Sequence, residues 1–99
     1  MKRNLNVIPR LIRVDCSAVE TQPKNGRDFK LKELQELVGG NIEILHVGRD
    51  TIMVVDEEGR LKGKEFNFFA SSLYWEVFGY NGSNHLVGDV LICPARMVK

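Results

Sequence analysis

Few residues in this chain offer reactive chemistry: two cysteines, two histidines and scattered carboxylates. Cys16, His46 and Asp56 are an imaginable nucleophile, base and acid, but catalysis needs the three groups within hydrogen-bond reach of one another. The sequence contains no GxSxG elbow, no HExxH pair and no glycine-rich phosphate loop. It therefore predicts a protein that is not an enzyme, with no catalytic residues and no cofactor.

The two cysteines are expected to be reduced thiols in the core. Cys16 and Cys93 each end a predicted strand on an apolar background, and cysteine is among the most buried residue types. A disulfide between them would need Cα atoms roughly 5.5 Å apart, which sequence leaves open. A zinc site is not predicted, because only His46 and His85 accompany the cysteines.

An acidic stretch, Asp56-Glu57-Glu58, is the one place where a hard cation could be considered. It lacks the alternating oxygen ligands and the distant glutamate of a calcium loop. We therefore expect a solvated hairpin tip there.

Composition indicates one globular domain. The 99 residues carry 14 basic and 13 acidic side chains, a net charge of +1, and 43% of them are apolar. No run approaches the roughly 20 apolar residues of a membrane span, and the first residues lack the apolar core of a signal peptide. We expect a cytoplasmic protein with a flexible basic arm over residues 1–9 and a single domain over residues 10–99.

Hydrophobic spacing predicts an α+β fold, with a mainly antiparallel sheet of about five strands and two helices on one face of it. A period of two predicts a first strand whose apolar face is Ile12, Val14 and Cys16. The other expected strands lie around Val19, at residues 42–47 and 51–55 as a hairpin, at 61–66, and at 86–93 in the middle of the sheet.

Two helices are predicted. The main one spans residues 28–38, with Asp28 positioned to cap its first turn and Gly39 ending it. A shorter aromatic helix is expected at about residues 68–78, with a buried stripe of Phe69, Leu73 and Val77.

Several short motifs follow one another in a characteristic order. They are Leu34-Gln35-Glu36-Leu37-Val38-Gly39-Gly40, Ile42-Glu43, Glu57-Glu58-Gly59-Arg60-Leu61, Gly63 with Asn67, and Val87-Gly88-Asp89-Val90-Leu91-Ile92. In this respect the chain resembles a domain-of-unknown-function family of small proteins from bacteria, phages and conjugative elements. It departs from the family pattern at Glu65, where proline is usual, and at Phe68, where an arginine often follows. The resemblance implies the fold and a phage or mobile-element origin, but no established reaction, cofactor or binding residue.

The segment from Asn67 to Tyr80 holds six of the eight aromatic residues. A domain of this size buries only about 65% of its unfolded surface, so some ring area should stay exposed. We therefore predict a non-enzymatic module that binds a host protein or a second copy of itself. The predicted interface residues are Tyr74, Trp75, Phe78 and Tyr80.

Two other functions are considered. The first is nucleic-acid binding through the four lysine and arginine residues that precede Asp15, the first acidic residue, although the rest of the chain carries a net charge of −3. The residues concerned are Lys2, Arg3, Arg10 and Arg13. The second is binding of a small ligand or nucleotide through Glu43 and Asn67, which sit in the resembling motifs unless they only satisfy backbone groups in turns. No membrane partner is predicted.

Overall fold

A computed structural model describes residues 7–98. In chain order the elements are β1 (Arg10–Ile12), β2 (Ala18–Glu20), α1 (Leu31–Val38), β3 (Ile42–His46), β4 (Thr51–Asp56), α2 (Phe68–Phe78), β5 (Val90–Pro94) and a 3₁₀ turn (Ala95–Met97). Within this part of the chain no helix has the length and apolar character needed to cross a membrane.

The five strands form one sheet in the order β2-β1-β5-β4-β3, and every neighbouring pair is antiparallel. β5 lies in the middle, where its apolar composition predicts it: the side chains of Val90, Leu91 and Cys93 are all fully buried. The predicted α+β class, the five-stranded antiparallel sheet and the β3–β4 hairpin are therefore confirmed.

The two helices pack on opposite faces of this sheet. Ile52 and Val54 of β4 point toward α1, whereas Met53 and Val55 between them point toward α2. Because β4 and β5 are buried on both sides, their sequences are continuous apolar runs and carry no alternation that would identify a solvent face. The prediction that both helices cover one face is wrong, and α2, with 11 residues, is longer than α1, with 8.

Helix α1 begins three residues later than predicted. Its N-cap is Lys30, which makes no side-chain capping bond. Asp28 lies before the helix instead, where it is buried and accepts a hydrogen bond from the Asn25 side-chain amide at 2.9 Å. The end is as predicted: Gly39 adopts φ +82°, the left-handed conformation that closes a helix and that glycine reaches without strain.

The first strand is shorter than predicted. β1 ends at Ile12, and both Leu11 and Ile12 are buried because β1 also has a helix on each side. Cys16 lies in the turn to β2, exposed and with φ +72°. The expectation that Cys16 is a core thiol is therefore wrong, whereas Cys93 is buried as expected.

The predicted strand over residues 61–66 is also wrong. Residues 57–63 form successive turns, in which the Lys62 amide donates to the Glu58 carbonyl at 3.0 Å. Only Phe66 makes a strand-like bridge, with Val87. The turns fold this segment back, so that Lys62 and Lys64 reach the end of α1.

The predicted arm, residues 1–9, lies mostly outside the described residues. In the described part, Pro9 is buried and its carbonyl accepts a hydrogen bond from the Thr21 amide at 3.0 Å. Residue 9 is thus already attached to the sheet.

Asn67 joins three separate segments in the interior. Its side-chain oxygen accepts from the Ala70 amide at 2.9 Å, which caps α2. Its amide nitrogen donates to the Ile12 carbonyl at 2.9 Å and to the Gly88 carbonyl at 2.8 Å. The residue is fully buried, so the predicted ligand contact is corrected: Asn67 satisfies backbone groups and has no atom available to a ligand.

We expect Asn67→Ala to lower the free energy of unfolding by about 3 kcal/mol, because two buried carbonyls and one helix-terminal amide lose their partner. Urea denaturation followed by circular dichroism measures this loss. Gln22→Ala is the matched control, since Gln22 is exposed, and should change stability by less than about 0.5 kcal/mol. Equal stabilities for the two variants would contradict the role assigned to Asn67.

Candidate interaction surface on the aromatic helix

Helix α2 is apolar on every side, and Glu76 is its only charged residue. Toward the sheet, Ala70 is fully buried, and Phe69 and Leu73 pack against the same cluster. Val77 lies one turn further along this side but is 51% exposed, so the last turn extends beyond the cover of the sheet. The predicted buried stripe stops at Leu73. A helix that is apolar all round is usually covered on both sides, and here the outer side is open.

Aromatic rings line this outer side around Trp75. The Trp75 side chain is half-buried, and its indole nitrogen donates to the Asn84 carbonyl at 3.1 Å. Phe66 stacks on it with ring centroids 6.3 Å apart, and Tyr80 meets it edge-on at 4.9 Å. The side chains of Phe66, Phe68 and Tyr80 remain about half exposed or more. Trp75 thus fixes rings whose other faces are open to water.

Phe78 adds a further ring, packed on Tyr74 with centroids 4.8 Å apart and 54% exposed. We call the exposed apolar side chains of this region the aromatic surface; they are Phe66, Phe68, Val77, Phe78 and Tyr80. At about 200 Å² for a large side chain and roughly half of that exposed, these five side chains together expose on the order of 500 Å².

The structure separates the predicted interface residues into two layers. Phe78 and Tyr80 lie on the aromatic surface, whereas Tyr74 and Trp75 are half-buried below it and support the outer rings. Sequence reasoning misses Phe66 and Phe68 as surface residues. A signal is available for Phe66, which precedes the inward-pointing Asn67 in extended chain, where neighbouring side chains point to opposite sides; Phe68 is the first residue of α2, and this alternation does not apply to it.

Charge around the aromatic surface is sparse. Between residues 65 and 95 the sequence has three acids and no lysine or arginine. Of these acids, Glu65 and Glu76 are exposed and adjoin the surface in the chain. Arg60 approaches from the turn after β4, but its guanidinium donates to the carbonyl oxygens of Ser83 and His85.

A shallow groove of about 250 Å³ lies beside the helix, between β3, the turn after β4 and residues 84–87. Glu43 and Tyr74 both line it. The Glu43 side chain is exposed and has no partner among residues 7–98. The fold does not bring Asn67 to this groove, so the two predicted ligand contacts do not form one site.

The described part of the basic cluster lies beside acids. Arg10 is the cross-strand partner of Glu20 in the β1–β2 pair. Hydrogen bonds from Ser17, together with the charge of Arg13, lower the pKa of Asp15. Arg10 and Arg13 are exposed, and Lys2 and Arg3 lie outside the described residues.

The reactive side chains are dispersed. Cys16 lies in the β1–β2 turn at one edge of the sheet, His46 lies in β3 at the opposite edge, and Asp56 ends β4. Burial raises the pKa of the Cys93 thiol to about 11, which keeps it protonated and unreactive. Among residues 7–98 no three histidine, cysteine or acidic side chains are grouped so that they could hold a metal ion.

Asp56 is the residue that sequence reasoning most misjudges. Its side chain is only 1% exposed, and one carboxylate oxygen accepts from Lys62 at 2.8 Å and from Lys64 at 2.7 Å. The same ammonium groups donate to the end of α1: Lys64 to the Val38 carbonyl at 2.6 Å and Lys62 to the Gly39 carbonyl at 3.1 Å. The expectation of a solvated tip is therefore wrong for Asp56, and it holds for the exposed Glu57 and Glu58.

This ion cluster, Asp56 with Lys62 and Lys64, leaves little space around it. A methyl group at Gly40 would lie 2.7 Å from the Asp56 carboxylate oxygens, and one at Gly88 would lie 2.9 Å from Cδ of Lys64. Burial acts to raise the pKa of Asp56. Hydrogen bonds from both lysines and from the Glu58 amide outweigh this effect and hold the pKa at about 2.

The lowered pKa predicts an acid-dependent loss of stability. The contribution of Asp56 is complete above the unfolded value near 3.8 and is lost as the pH falls through about 2. We expect Asp56→Asn to be less stable than the parent chain at pH 7 by about 3 kcal/mol, since it leaves two ammonium groups without their counter-ion. The difference in unfolding free energy between the parent chain and Asp56→Asn should narrow by about 2 kcal/mol as the pH falls from 4 to 2.

Denaturant unfolding at a series of pH values checks this, with Glu57→Gln as the neighbouring exposed control. Parallel stability curves for Asp56→Asn and the parent chain would show that the ion cluster does not titrate as described.

Comparison with known proteins supports the assignment of the chain to a family of unknown function. The model of one family, described as Domain of unknown function (DUF3846), matches residues 10–97. No curated protein and no solved structure matches the chain. The matched span contains every strand and helix described above, from β1 to the 3₁₀ turn after β5. The chain therefore belongs to the DUF3846 family, a family defined by its sequence and without an assigned function.

Proposed function

We propose that this domain is a non-enzymatic protein-binding module whose partner covers the aromatic surface. The observation that carries the proposal is the outer side of α2, where exposed rings are held in place by the half-buried Trp75. Rigid aromatic side chains lose little conformational entropy on binding, and tyrosine and tryptophan are enriched among residues that dominate interface energies.

The partner is a separate protein with an apolar contact patch bordered by lysine or arginine. Glu65 and Glu76 are exposed next to the aromatic surface, and no lysine or arginine occurs between residues 65 and 95. Opposite charges on the rim would favour association and orientation. A second copy bound through this same surface would instead bring glutamates toward glutamates, which favours a different protein as the occupant.

Two further elements belong to this proposal. An origin in a phage or mobile element rests on the resemblance of the motifs, and it would make a host protein the partner. A cytoplasmic location is favoured by the free, exposed thiol of Cys16, because exposed thiols persist in reducing compartments.

The test compares full-length tagged variants as baits in nuclease-treated lysate of the source organism. Phe78→Ser with Tyr80→Ser removes two exposed rings, and Leu31→Ser is the control, since Leu31 is 59% exposed on α1 at the opposite face. We expect one protein to be retained by the parent chain and by Leu31→Ser but not by the double variant. With that protein purified, the double variant should bind at least about thirtyfold more weakly.

The charge of the partner is tested with Glu76→Lys, which should weaken binding of the same purified protein by several-fold at low salt and less at high salt. Retention of the same proteins by all baits would contradict the proposal. Retention of a protein from untreated lysate but not from the nuclease-treated lysate would favour nucleic acid, and a small molecule that co-purifies with the chain and is lost on Glu43→Ala would favour ligand binding in the groove.

A further inference from the structure

The two edges of the sheet differ in how well they are protected. β2 has only three residues and is followed by Pro23, both of which hinder the addition of another strand, and each edge strand carries one glutamate, Glu20 in β2 and Glu43 in β3. β3 has five residues, Ile42–His46, and contains no proline, lysine or arginine. β3 is therefore the edge at which another strand can pair.

The hydrogen-bond register identifies the free backbone groups of β3. Toward β4, the Asn41 carbonyl accepts from the Glu57 amide at 2.8 Å, and the Val47 amide donates to the Thr51 carbonyl at 3.1 Å. Antiparallel pairs alternate between bonded and non-bonded residues, so the odd-numbered residues 41 to 47 face β4. The amides and carbonyls of Ile42, Ile44 and His46 therefore point away from the sheet. Among residues 7–98 they have no hydrogen-bond partner.

The side chain at the centre of this edge is apolar and incompletely covered. Ile44 is the cross-strand partner of Val54 on the α1 face, yet 38% of its surface is exposed. An exposed isoleucine on an unprotected edge is what a paired strand would bury.

We propose that two copies of this chain associate through β3, as an antiparallel pair with Ile44 on the two-fold axis. In this register Ile42 faces His46 of the second copy, Ile44 faces Ile44, and Glu43 faces Leu45. The Ile42–His46 and Ile44–Ile44 pairs join residues whose backbone groups face outward, so each such pair completes two backbone hydrogen bonds. The Ile42–His46 pair occurs twice, and the interface therefore contains about six bonds. The strand is thus self-complementary, as an isologous contact requires.

The pairing extends the sheet across both copies, and it is made by the backbone of β3 rather than by the side chains of the aromatic surface. It places no like charges directly opposite each other. The two Glu43 carboxylates become diagonal neighbours roughly 7 Å apart, a modest repulsion that salt screens. Removing that charge should therefore strengthen the pair.

Sedimentation velocity over a range of concentrations tests the association. Ile44→Pro removes an outward-pointing amide without breaking a bond to β4, and we expect dimerisation to weaken at least tenfold. Glu20→Pro is the matched control at the other edge, since Glu20 also faces outward, and it should leave dimerisation unchanged. Ile44→Lys keeps the backbone intact and should weaken the dimer as well, whereas Glu43→Gln should strengthen it by several-fold. Circular dichroism identifies any variant that fails to fold.

Cross-linking tests the register itself, in a Cys16→Ser background where Cys93 is buried. Ile44→Cys places two thiols across the axis, whereas His46→Cys places them roughly 14 Å apart along the strands. A short bifunctional thiol reagent should link Ile44→Cys into dimers and leave His46→Cys monomeric. Equal cross-linking at both positions, a parent chain that stays monomeric at every concentration, or a dimer lost on Glu20→Pro would overturn the proposal.

Discussion

The ion cluster of Asp56, Lys62 and Lys64 is the interaction on which the arrangement of the remaining parts depends. A buried carboxylate is costly unless it is paired, and here two ammonium groups share it while also donating to the last carbonyls of α1. The last carbonyls of a helix have no amide donors within the helix, and here the lysine ammonium groups bond to them instead. The positive charge of these groups also suits the negative end of the helix dipole. One cluster thus fixes the helix to the end of β4 and to the turns that follow it.

The same cluster gives a physical meaning to several motifs that define the resemblance. Gly40 and Gly88 come from motifs almost fifty residues apart, yet a side chain at either would collide with Asp56 or Lys64. The stretch Glu57-Glu58-Gly59-Arg60-Leu61 forms the turn that returns the lysines to the helix. These motifs describe packing around a charge, which explains why they indicate a fold without indicating a reaction.

Sequence reasoning succeeded where a local pattern corresponds to one structure. The β3–β4 hairpin, the end of α1 at Gly39 and the central position of β5 follow from turn residues and apolar runs. It failed where the outcome depends on distant residues. Asp56 looks solvated because its acidic neighbours are, while the lysines that bury it come six and eight residues later. The placement of the helices on opposite faces also lies beyond local pattern, because strands buried on both sides show no alternation.

The candidate site shows the same division. The surplus of rings predicts an exposed aromatic region, and Phe78 and Tyr80 do lie there. The position at which the sheet ends beneath α2 decides which rings are half-buried and hold the others, and which rings contact water. The exposed Val77 illustrates this end of the sheet. Asn67 was a plausible ligand contact by motif position, but its bonds to Ile12 and Gly88 appear only when residues far apart in sequence meet.

The central position of β5 also bears on how the molecule can be made. The β1–β2 and β3–β4 hairpins are not neighbours, and β5 is the strand that pairs with both. During synthesis on the ribosome both hairpins emerge first, each with an apolar strand whose inner edge is unsatisfied. Neither can join the other until the last strand in the chain order has left the exit tunnel, so assembly is a late event governed by long-range contacts. For that interval the nascent chain has two strand edges with unpaired backbone groups, those of β1 and β4. Chaperone contacts or premature pairing between neighbouring chains would concentrate there.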